Sequence, residues 1–118
     1  MKTAYPDIAP FVTKDGSVIR ELMHPSQHGP STMSFAEATV TAGATTLMHL
    51  HRNSEEIYHV TQGSGKMRMG TAEFDIRGGD TIIIAPGTPH NVTHTGGEAL
   101  KILCVCHPPY ADEDTRLL

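Results

Sequence analysis

Histidine is the residue type that first indicates chemistry in this chain. The sequence holds eight histidines in 118 residues, and one residue separates His49 from His51. Alternate residues of a strand face the same way, so both imidazoles would share a face. Glu56 and His90 each follow a turn, and three imidazoles with one carboxylate suit Fe(II), Mn(II), Ni(II), Zn(II) or Cu(II). The pattern predicts one divalent transition metal ion per chain, with open coordination positions that are typical of catalytic sites.

The remaining histidines are interpreted differently. A single histidine is most often a hydrogen-bonded core or surface residue, and we interpret His24, His28, His59 and His107 in that way. His94 is kept apart, because it falls four residues after His90 and shares its strand face. A neutral imidazole there could accept a proton from a substrate, although a structural hydrogen-bonding role is the simpler interpretation.

The elements that must position these residues are short strands. Glycine and proline recur every eight to twelve residues, and the runs between them favour Val, Ile, Thr and Met, which is typical of an all-β sandwich or barrel. The run Thr81–Ala85 is apolar on both faces and predicts a central strand. The predicted strands are Val18–Met23, Ser34–Val40, Thr46–His51, Glu56–Gln62, Gly65–Gly70, Ala72–Arg77, Thr81–Ala85, His90–Thr95 and Leu100–His107.

Composition excludes several classes of function. Apolar residues make up 38% of the chain and charged residues 19%, and the net charge is −4. No basic run indicates nucleic acid or an anionic membrane as a partner. No stretch approaches the ~20 apolar residues that cross a bilayer, and no signal peptide is evident, so we expect a cytoplasmic protein. Cys104 and Cys106 are expected to be free, buried thiols rather than a soft metal site or a redox pair.

Two sequence motifs carry a resemblance to a known family. The first is Gly43-ATTLM-His49-Leu-His51-RNSE-Glu56-IYHVTQ-Gly63, and the second is Gly79-DTIIIAP-Gly87-TP-His90-NVT-His94. Together they resemble the two motifs of the cupin superfamily, G(X)5HXH(X)3–4E(X)6G and G(X)5PXG(X)2H(X)3N. The second motif departs at two positions, where Ala85 replaces proline and His94 replaces asparagine.

The resemblance implies an antiparallel double-sheet jelly-roll β-barrel whose metal ligands are His49, His51, Glu56 and His90. Residues 1–118 would then form one cupin domain. Within it, residues 1–33 would form N-terminal strands and a dimerisation segment, residues 34–107 the core barrel and residues 108–118 a C-terminal tail. Small cupins often dimerise through an N-terminal strand, and a small barrel has sheet edges that need cover, so we expect a homodimer.

Strand alternation predicts which other residues surround the metal. Tyr58 shares a face with Glu56 and could donate a hydrogen bond to a bound oxygen or simply pack. Ile102, Cys104 and Cys106 should face the interior, and Leu47 should share the face of His49 and His51. The interior therefore looks largely apolar, which favours a small, mostly apolar or aromatic substrate that carries one or two oxygen atoms.

Three hypotheses for function follow. The first is a dioxygenase or oxidase, in which the metal brings substrate and dioxygen together. The second is a non-redox lyase, isomerase or cyclase, in which the metal polarises a carbonyl and His94 or Tyr58 moves the proton. The third is a small-ligand-binding module without catalysis. The complete ligand set favours an enzyme, and the first hypothesis is preferred.

Overall fold

Eleven strands form two antiparallel sheets. The structure is a computed structural model that describes all 118 residues. The strands are β1 (Phe11–Val12), β2 (Val18–Met23), β3 (Ser34–Val40), β4 (His49–His51), β5 (Glu55–Gln62), β6 (Ser64–Met69), β7 (Ala72–Arg77), β8 (Thr81–Ile84), β9 (His90–Thr95), β10 (Leu100–His107) and β11 (Thr115–Leu117). Short 3-10 helices cover Tyr5–Asp7 and Asp112–Asp114. The predicted jelly-roll barrel is confirmed.

The two sheets divide the strands between them. The six-stranded sheet has the order β1-β2-β3-β10-β5-β8, and the five-stranded sheet has the order β11-β4-β9-β6-β7. Strands β2, β3, β7, β9 and β10 have the predicted bounds, and the other predicted strands differ mainly at their ends. The predicted strand from Thr46 is shortened to the three residues of β4, because Leu47 bonds instead to the backbone of Asp15.

Strand β8 corrects one prediction. Thr81–Ala85 was expected in the centre of a sheet, buried on both faces, but β8 pairs only with β5 and forms the edge of the six-stranded sheet. Ile82 and Ile84 face the core, whereas Ile83 is 60% exposed. The apolar character of the outer face of β8 is therefore not explained by burial in the centre of a sheet.

The side chains on the inner face of the barrel change from large and apolar at one end to polar or small at the other. At one end, Val40, Val60 and Leu100 pack into an apolar core with Met67 and Ile76 from the opposite sheet. At the other end, the inward side chains become polar or small. On β3 they are Ala38, Ala36 and Ser34, on β5 Tyr58 and Glu56, and on β10 Cys104 and Cys106. Small side chains leave space there, so a cavity opens at this end.

The C-terminal residues 108–118, predicted only as a tail, take part in the barrel. Strand β11 does form an edge, because it pairs with β4. However, Thr115 is buried, and Tyr110 and Thr115 both line the cavity. The tail is therefore part of the cavity wall. The structure contains no helix with the length and hydropathy of a membrane span.

Candidate metal centre

Three histidines converge at the open end of the barrel. His49 and His51 lie on β4 with Leu50 between them, and their imidazoles point inward, where they are 3% and 5% exposed. His90, the first residue of β9, pairs directly with His49 and is fully buried. One ring nitrogen from each of the three lies within 4.8 Å of the other two. Two strands of one sheet therefore bring together residues that are 41 positions apart.

The backbone orients two of the rings. Nδ1 of His49 lies 2.8 Å from the carbonyl oxygen of Leu47, and Nδ1 of His90 lies 2.8 Å from that of Thr88. A carbonyl only accepts, so each Nδ1 carries the proton and each Nε2 keeps a free lone pair. Burial and the neighbouring His90 also lower the pKa of His49, which keeps its ring neutral. Both rings therefore present Nε2 in the form that binds a metal.

The tail orients the third ring. Nδ1 of His51 lies 3.0 Å from Oγ1 of Thr115, and that hydroxyl donates its own hydrogen to the carbonyl of Ala111 at 2.9 Å. The hydroxyl hydrogen is already used, so Thr115 must accept from Nδ1–H of His51. His51 therefore presents the same tautomer as the other two histidines, with a free lone pair on Nε2.

Glu56 completes the group from the other sheet. Its Oε1 lies 3.2 Å from Nε2 of His51 and 3.5 Å from Nε2 of His90. Its Oε2 accepts a hydrogen bond from Sγ of Cys106 at 3.2 Å. Burial raises the pKa of Glu56, whereas hydrogen bonds and positive charge from His51 and His90 would lower it to about 2. Because the Nε2 atoms of both rings carry unprotonated lone pairs, a bound cation would supply the positive charge that keeps the carboxylate ionised.

These donor atoms fit a cation better than they fit one another. Oε1 of Glu56 and Nε2 of His90 are buried and have no hydrogen-bond partner. Buried polar atoms are rarely left without a partner, and here two lone-pair donors face each other. Ligands about 2.1 Å from one ion, at angles of 90–120°, lie about 3.0–3.6 Å apart. The contacts of Glu56 with His51 and His90, at 3.2 and 3.5 Å, match that spacing.

A cavity lies beside this group, and its exposed lining surface is mostly apolar, as predicted, with polar side chains at several positions. It holds about 550 Å³ of empty space, counting its open mouth. Cys104 and Cys106 line it as expected, but Leu47 is 53% exposed and lies outside it. Many of the lining side chains are polar and come from the two ends of the chain and β3. They are Thr13, Asp15, Ser17, Glu21, Ser34, Tyr110 and Thr115.

Tyr58 lies where alternation predicted. It is buried in the cavity wall, and the centre of its ring is 5.9 Å from that of His90 in an edge-on arrangement. Burial and the negative charge of Glu56 raise the pKa of Tyr58 well above its ordinary value. Its hydroxyl therefore keeps its proton and can serve as a hydrogen-bond donor.

The structure does not bring His94, which the sequence suggested as a proton acceptor, next to the three histidines and Glu56. Its Nδ1 accepts from the backbone N–H of Gly43 at 3.0 Å, and its Nε2 donates to the carbonyl of Glu98 at 2.6 Å. Four residues of strand separate it from His90 by about 13 Å. His94 shares the inward face of β9, as predicted, but it ties two turns together at the far end of the barrel.

Both cysteines are free and buried, as predicted. Burial and the charge of Glu56 raise the pKa of each thiol, so both stay protonated. Cys106 acts on the site through its hydrogen bond to Glu56, which leaves Oε1 as the carboxylate oxygen facing the histidines.

Sequence reasoning missed several cavity residues at the chain ends. Asp15 lies in the turn between β1 and β2, and its Oδ2 is 3.7 Å from Nε2 of His49. Glu21, on β2, is 6% exposed and its Oε1 has no partner. A signal existed for Glu21, since an acidic residue occupied an inward position of a predicted strand. No local signal marked Asp15, because its place depends on how the N-terminal hairpin folds back.

Comparison with known proteins identifies the family. The family model described as "Cupin domain" matches residues 36–106, which is more than half of the chain. The chain is a cupin. Both cupin motifs of the sequence lie within the matched residues, and the fold agrees with the match.

This cupin has relatives along its whole length. It is 48% identical over 118 residues to the uncharacterized protein MJ1618 of Methanocaldococcus jannaschii, covering 100% of this chain and 94% of that protein. Among solved structures, it superposes with a TM-score of 0.81 on Pac13, a nucleoside dehydratase, with 15% identity, covering 100% of this chain and 90% of that one. A predicted oxalate decarboxylase from Thermotoga maritima gives a TM-score of 0.78 with 22% identity, covering 92% and 99%. These structural likenesses establish the fold.

Proposed function

We propose that this cupin is a metal-dependent enzyme that carries out a lyase-type reaction on a small, polar, oxygen-bearing molecule. His49, His51, Glu56 and His90 would hold one divalent transition metal ion. One observation carries the proposal. The Nε2 atoms of three histidines and an unpartnered oxygen of Glu56 lie together beside a cavity that is lined in part by hydroxyl and carboxyl side chains. The mixed nitrogen and oxygen donor set suits iron, manganese, nickel, zinc or copper.

The metal ion would supply Lewis acidity, polarising an oxygen of the substrate. The remaining chemistry belongs to the side chains of the cavity. Tyr58 keeps its proton and lies beside His90, so it can donate a hydrogen bond to a substrate oxygen near the metal group. Such a hydrogen bond becomes stronger if negative charge develops on that oxygen in the transition state, and it then lowers the activation free energy.

Glu21 supports a polar substrate rather than an apolar one. Its carboxyl is buried in the cavity wall and one of its oxygens has no protein partner. Ser17 and Ser34 line the same wall. A buried polar oxygen favours a ligand that brings the missing hydrogen bond, so we infer that the substrate carries a hydroxyl or amino group facing Glu21. This differs from the apolar or aromatic molecule that the sequence suggested.

Two features favour lyase-type chemistry. The cavity contains both a protonated phenol and carboxyl groups, which are the groups that move protons in eliminations and isomerisations. The structures that share the fold include a nucleoside dehydratase and a predicted oxalate decarboxylase, so the barrel accommodates bond-breaking reactions of this type. Their identity to this chain is low, and they support the proposal through the fold alone.

An oxidase or dioxygenase is the second candidate. The ligand set suits redox-active ions, and Ile19, Ala36 and Ala38 provide an apolar strip of cavity wall that would shield reactive species from water. The carboxyl groups in the cavity argue for the first candidate, because an oxidative reaction has no evident use for Glu21.

The decisive experiment compares zinc-loaded and iron-loaded protein, with and without dioxygen. Small hydroxy acids, hydroxy ketones, nucleosides and oxalate would be incubated with each form, and products followed by proton NMR. Lyase-type chemistry predicts turnover by the zinc form under argon. Turnover that requires both iron and dioxygen would support the second candidate. Strong thermal stabilisation by a compound that is never converted would contradict both and indicate a binding module.

A further inference from the structure

The turn between β1 and β2, residues 13–17, brings a second carboxylate to the metal group. Oδ2 of Asp15 lies 3.7 Å from Nε2 of His49, and the Asp15 side chain is only 14% exposed. His49 directs that Nε2 lone pair inward because its Nδ1 is bonded to a carbonyl. A carboxylate oxygen therefore faces the atom of His49 that would bind a metal ion.

Hydrogen bonds hold the Asp15 carboxylate in this orientation. Its other oxygen, Oδ1, accepts from Oγ1 of Thr13 at 2.8 Å, from the backbone N of Ser17 at 2.9 Å and from Oγ of Ser17 at 2.7 Å. Three donors on one oxygen fix the plane of the group. The remaining oxygen, Oδ2, is therefore held facing His49.

The turn that carries Asp15 is itself anchored. The backbone oxygen of Asp15 accepts from the N–H of Leu47 at 2.8 Å, just before β4. Lys14 donates to the carbonyls of Asp112 and Thr115, at 2.9 and 3.1 Å. The turn is therefore bonded to the strand that carries His49 and to the tail that orients His51. This placement is built by several independent contacts.

We propose that Asp15 is a fifth protein ligand of the metal ion. The inference rests on the proposed metal centre and extends it. The spacing of 3.7 Å from Asp15 to His49 lies close to the 3.2 and 3.5 Å that separate Glu56 from its two histidines. Five protein ligands leave one open position on a six-coordinate ion, so substrate would bind there through a single atom.

A second carboxylate also changes the charge of the centre. The negative charges of Asp15 and Glu56 offset the two positive charges of the ion, and the three histidines are neutral. A neutral centre has little attraction for an anionic ligand, because the Coulomb term is small. The substrate class that fits is a molecule that approaches the ion with an uncharged hydroxyl or carbonyl oxygen, rather than with a carboxylate.

The test uses Co(II) as the metal probe and the full chain. A crystal structure of the Co(II)-loaded protein should place Oδ2 of Asp15 about 2.0–2.3 Å from the ion. Asp15→Asn should weaken Co(II) affinity about tenfold or more, measured by competition with a chelator, and should alter the visible absorption spectrum of the bound ion. The matched control is Asp80→Asn, since Asp80 also caps a turn, through Arg77, but lies far from the cavity. It should leave affinity and spectrum unchanged.

The outcomes separate this inference from the proposed function. If the wild-type protein binds one Co(II) through the three histidines and Glu56, but Asp15 stays more than about 3 Å from the ion and Asp15→Asn changes nothing, only the fifth ligand is wrong. If the wild-type protein binds no Co(II), the metal centre and the fifth ligand are both wrong. Circular dichroism of metal-free Asp15→Asn checks that the variant is folded.

Discussion

Thr115 and His51, 64 positions apart, share a buried hydrogen bond in which the threonine hydroxyl accepts from the imidazole. The tail thereby decides which nitrogen of His51 faces the metal group. Partners of this kind commonly tune metal sites, and their loss costs about 10–100-fold in affinity.

Thr115→Val should weaken metal binding while preserving the fold. Valine has nearly the same shape, but it cannot accept from Nδ1 of His51, so the tautomer is no longer fixed. We expect the affinity for Zn(II) or Ni(II) to fall about tenfold or more, measured by isothermal titration calorimetry. Thr61→Val, at an exposed hydroxyl bonded to Lys101, is the matched control and should bind like the wild type. Equal affinities for both variants would contradict a role for Thr115.

Glu21→Gln should stabilise the protein at neutral pH. Burial raises the pKa of Glu21 above its ordinary value of 4.5, so the native state holds a proton that the unfolded chain releases. Stability is then fully present below about pH 4.5 and declines as the pH rises through the raised pKa. The neutral amide removes this penalty, and we expect a gain of about 1 kcal/mol at pH 8.

Denaturant unfolding of both proteins between pH 4.5 and pH 8 measures this effect. The difference in the free energy of unfolding should grow with pH, since only the wild type acquires a buried charge. Glu98→Gln, at an exposed carboxylate in the turn between β9 and β10, is a control for general charge effects. A difference that stays constant with pH would show that ionisation of Glu21 carries no stability penalty.

The candidate metal-binding residues could be predicted from sequence, but their surroundings could not. His49, His51, Glu56 and His90 occupy motif positions whose strand alternation and turn spacing are local, so the predicted group is the one that the structure assembles. Asp15 and Thr115 join that group through contacts that span 34 and 64 positions. No local pattern specifies where a hairpin or a tail folds back.

Errors in the sequence predictions share a physical cause. Alternation correctly gave His94 an inward side chain, but it carries no information about distance along the strand, and four residues took His94 out of reach. For β8, an apolar run was compatible with a central strand or with an edge whose outer face is covered by something else. Hydropathy alone does not separate these cases.

Ile83→Glu should dissociate a homodimer. One row of apolar side chains crosses five strands on the outer face of the six-stranded sheet. In register order from β8 to β2, the row consists of Ile83, Ile57, Val105, Phe35 and Met23. Four of these strands are six to eight residues long and β8 has four residues; at a spacing of about 4.8 Å they give a face of roughly 500 Å². That approaches the ~800 Å² per partner of a standard interface, so we propose a second copy of this chain as the occupant.

Light scattering after size-exclusion chromatography checks this prediction. The wild type should elute as a dimer and Ile83→Glu as a monomer. Val12→Glu is the comparison, because Val12 is 68% exposed on β1, the N-terminal edge strand that the sequence suggested as the dimer contact. If Val12→Glu yields monomers and Ile83→Glu remains dimeric, the N-terminal strand forms the interface instead. A monomeric wild type would contradict both modes.

Asp114→Asn should loosen the turn between His51 and Glu56. The carboxylate accepts from the backbone N and the side-chain amide of Asn53, at 2.9 and 2.8 Å, and from the backbone N of Ser54 at 3.1 Å. Burial acts to raise the pKa of Asp114, but these donors from Ser54 and Asn53 lower it overall. We expect a loss of about 1 kcal/mol, since the group is partly exposed.

The pH dependence of this effect has a defined sign. A lowered pKa means that the contribution is present above the ordinary value of 3.8 and is lost as the pH falls through the lowered value. Thermal unfolding should therefore separate wild type and Asp114→Asn at pH 6, and the difference should be smaller at pH 3, below the ordinary value of 3.8. Asp75→Asn, at an exposed carboxylate on β7, should match the wild type at both pH values. Persistence of the full difference at pH 3 would contradict the charge-based explanation.

The change from large apolar to small or polar inward side chains along each strand affects how this barrel can evolve. Stability resides in the apolar end, where Val60, Met67 and Leu100 are fully buried, whereas the cavity end is bounded on β3 by Ser34, Ala36 and Ala38. Exchanging one of these small residues for a larger one would reshape what the cavity admits without touching the packed end. A single substitution on β3 can therefore change the shape of the cavity, while the candidate metal-binding residues and the packed core stay the same.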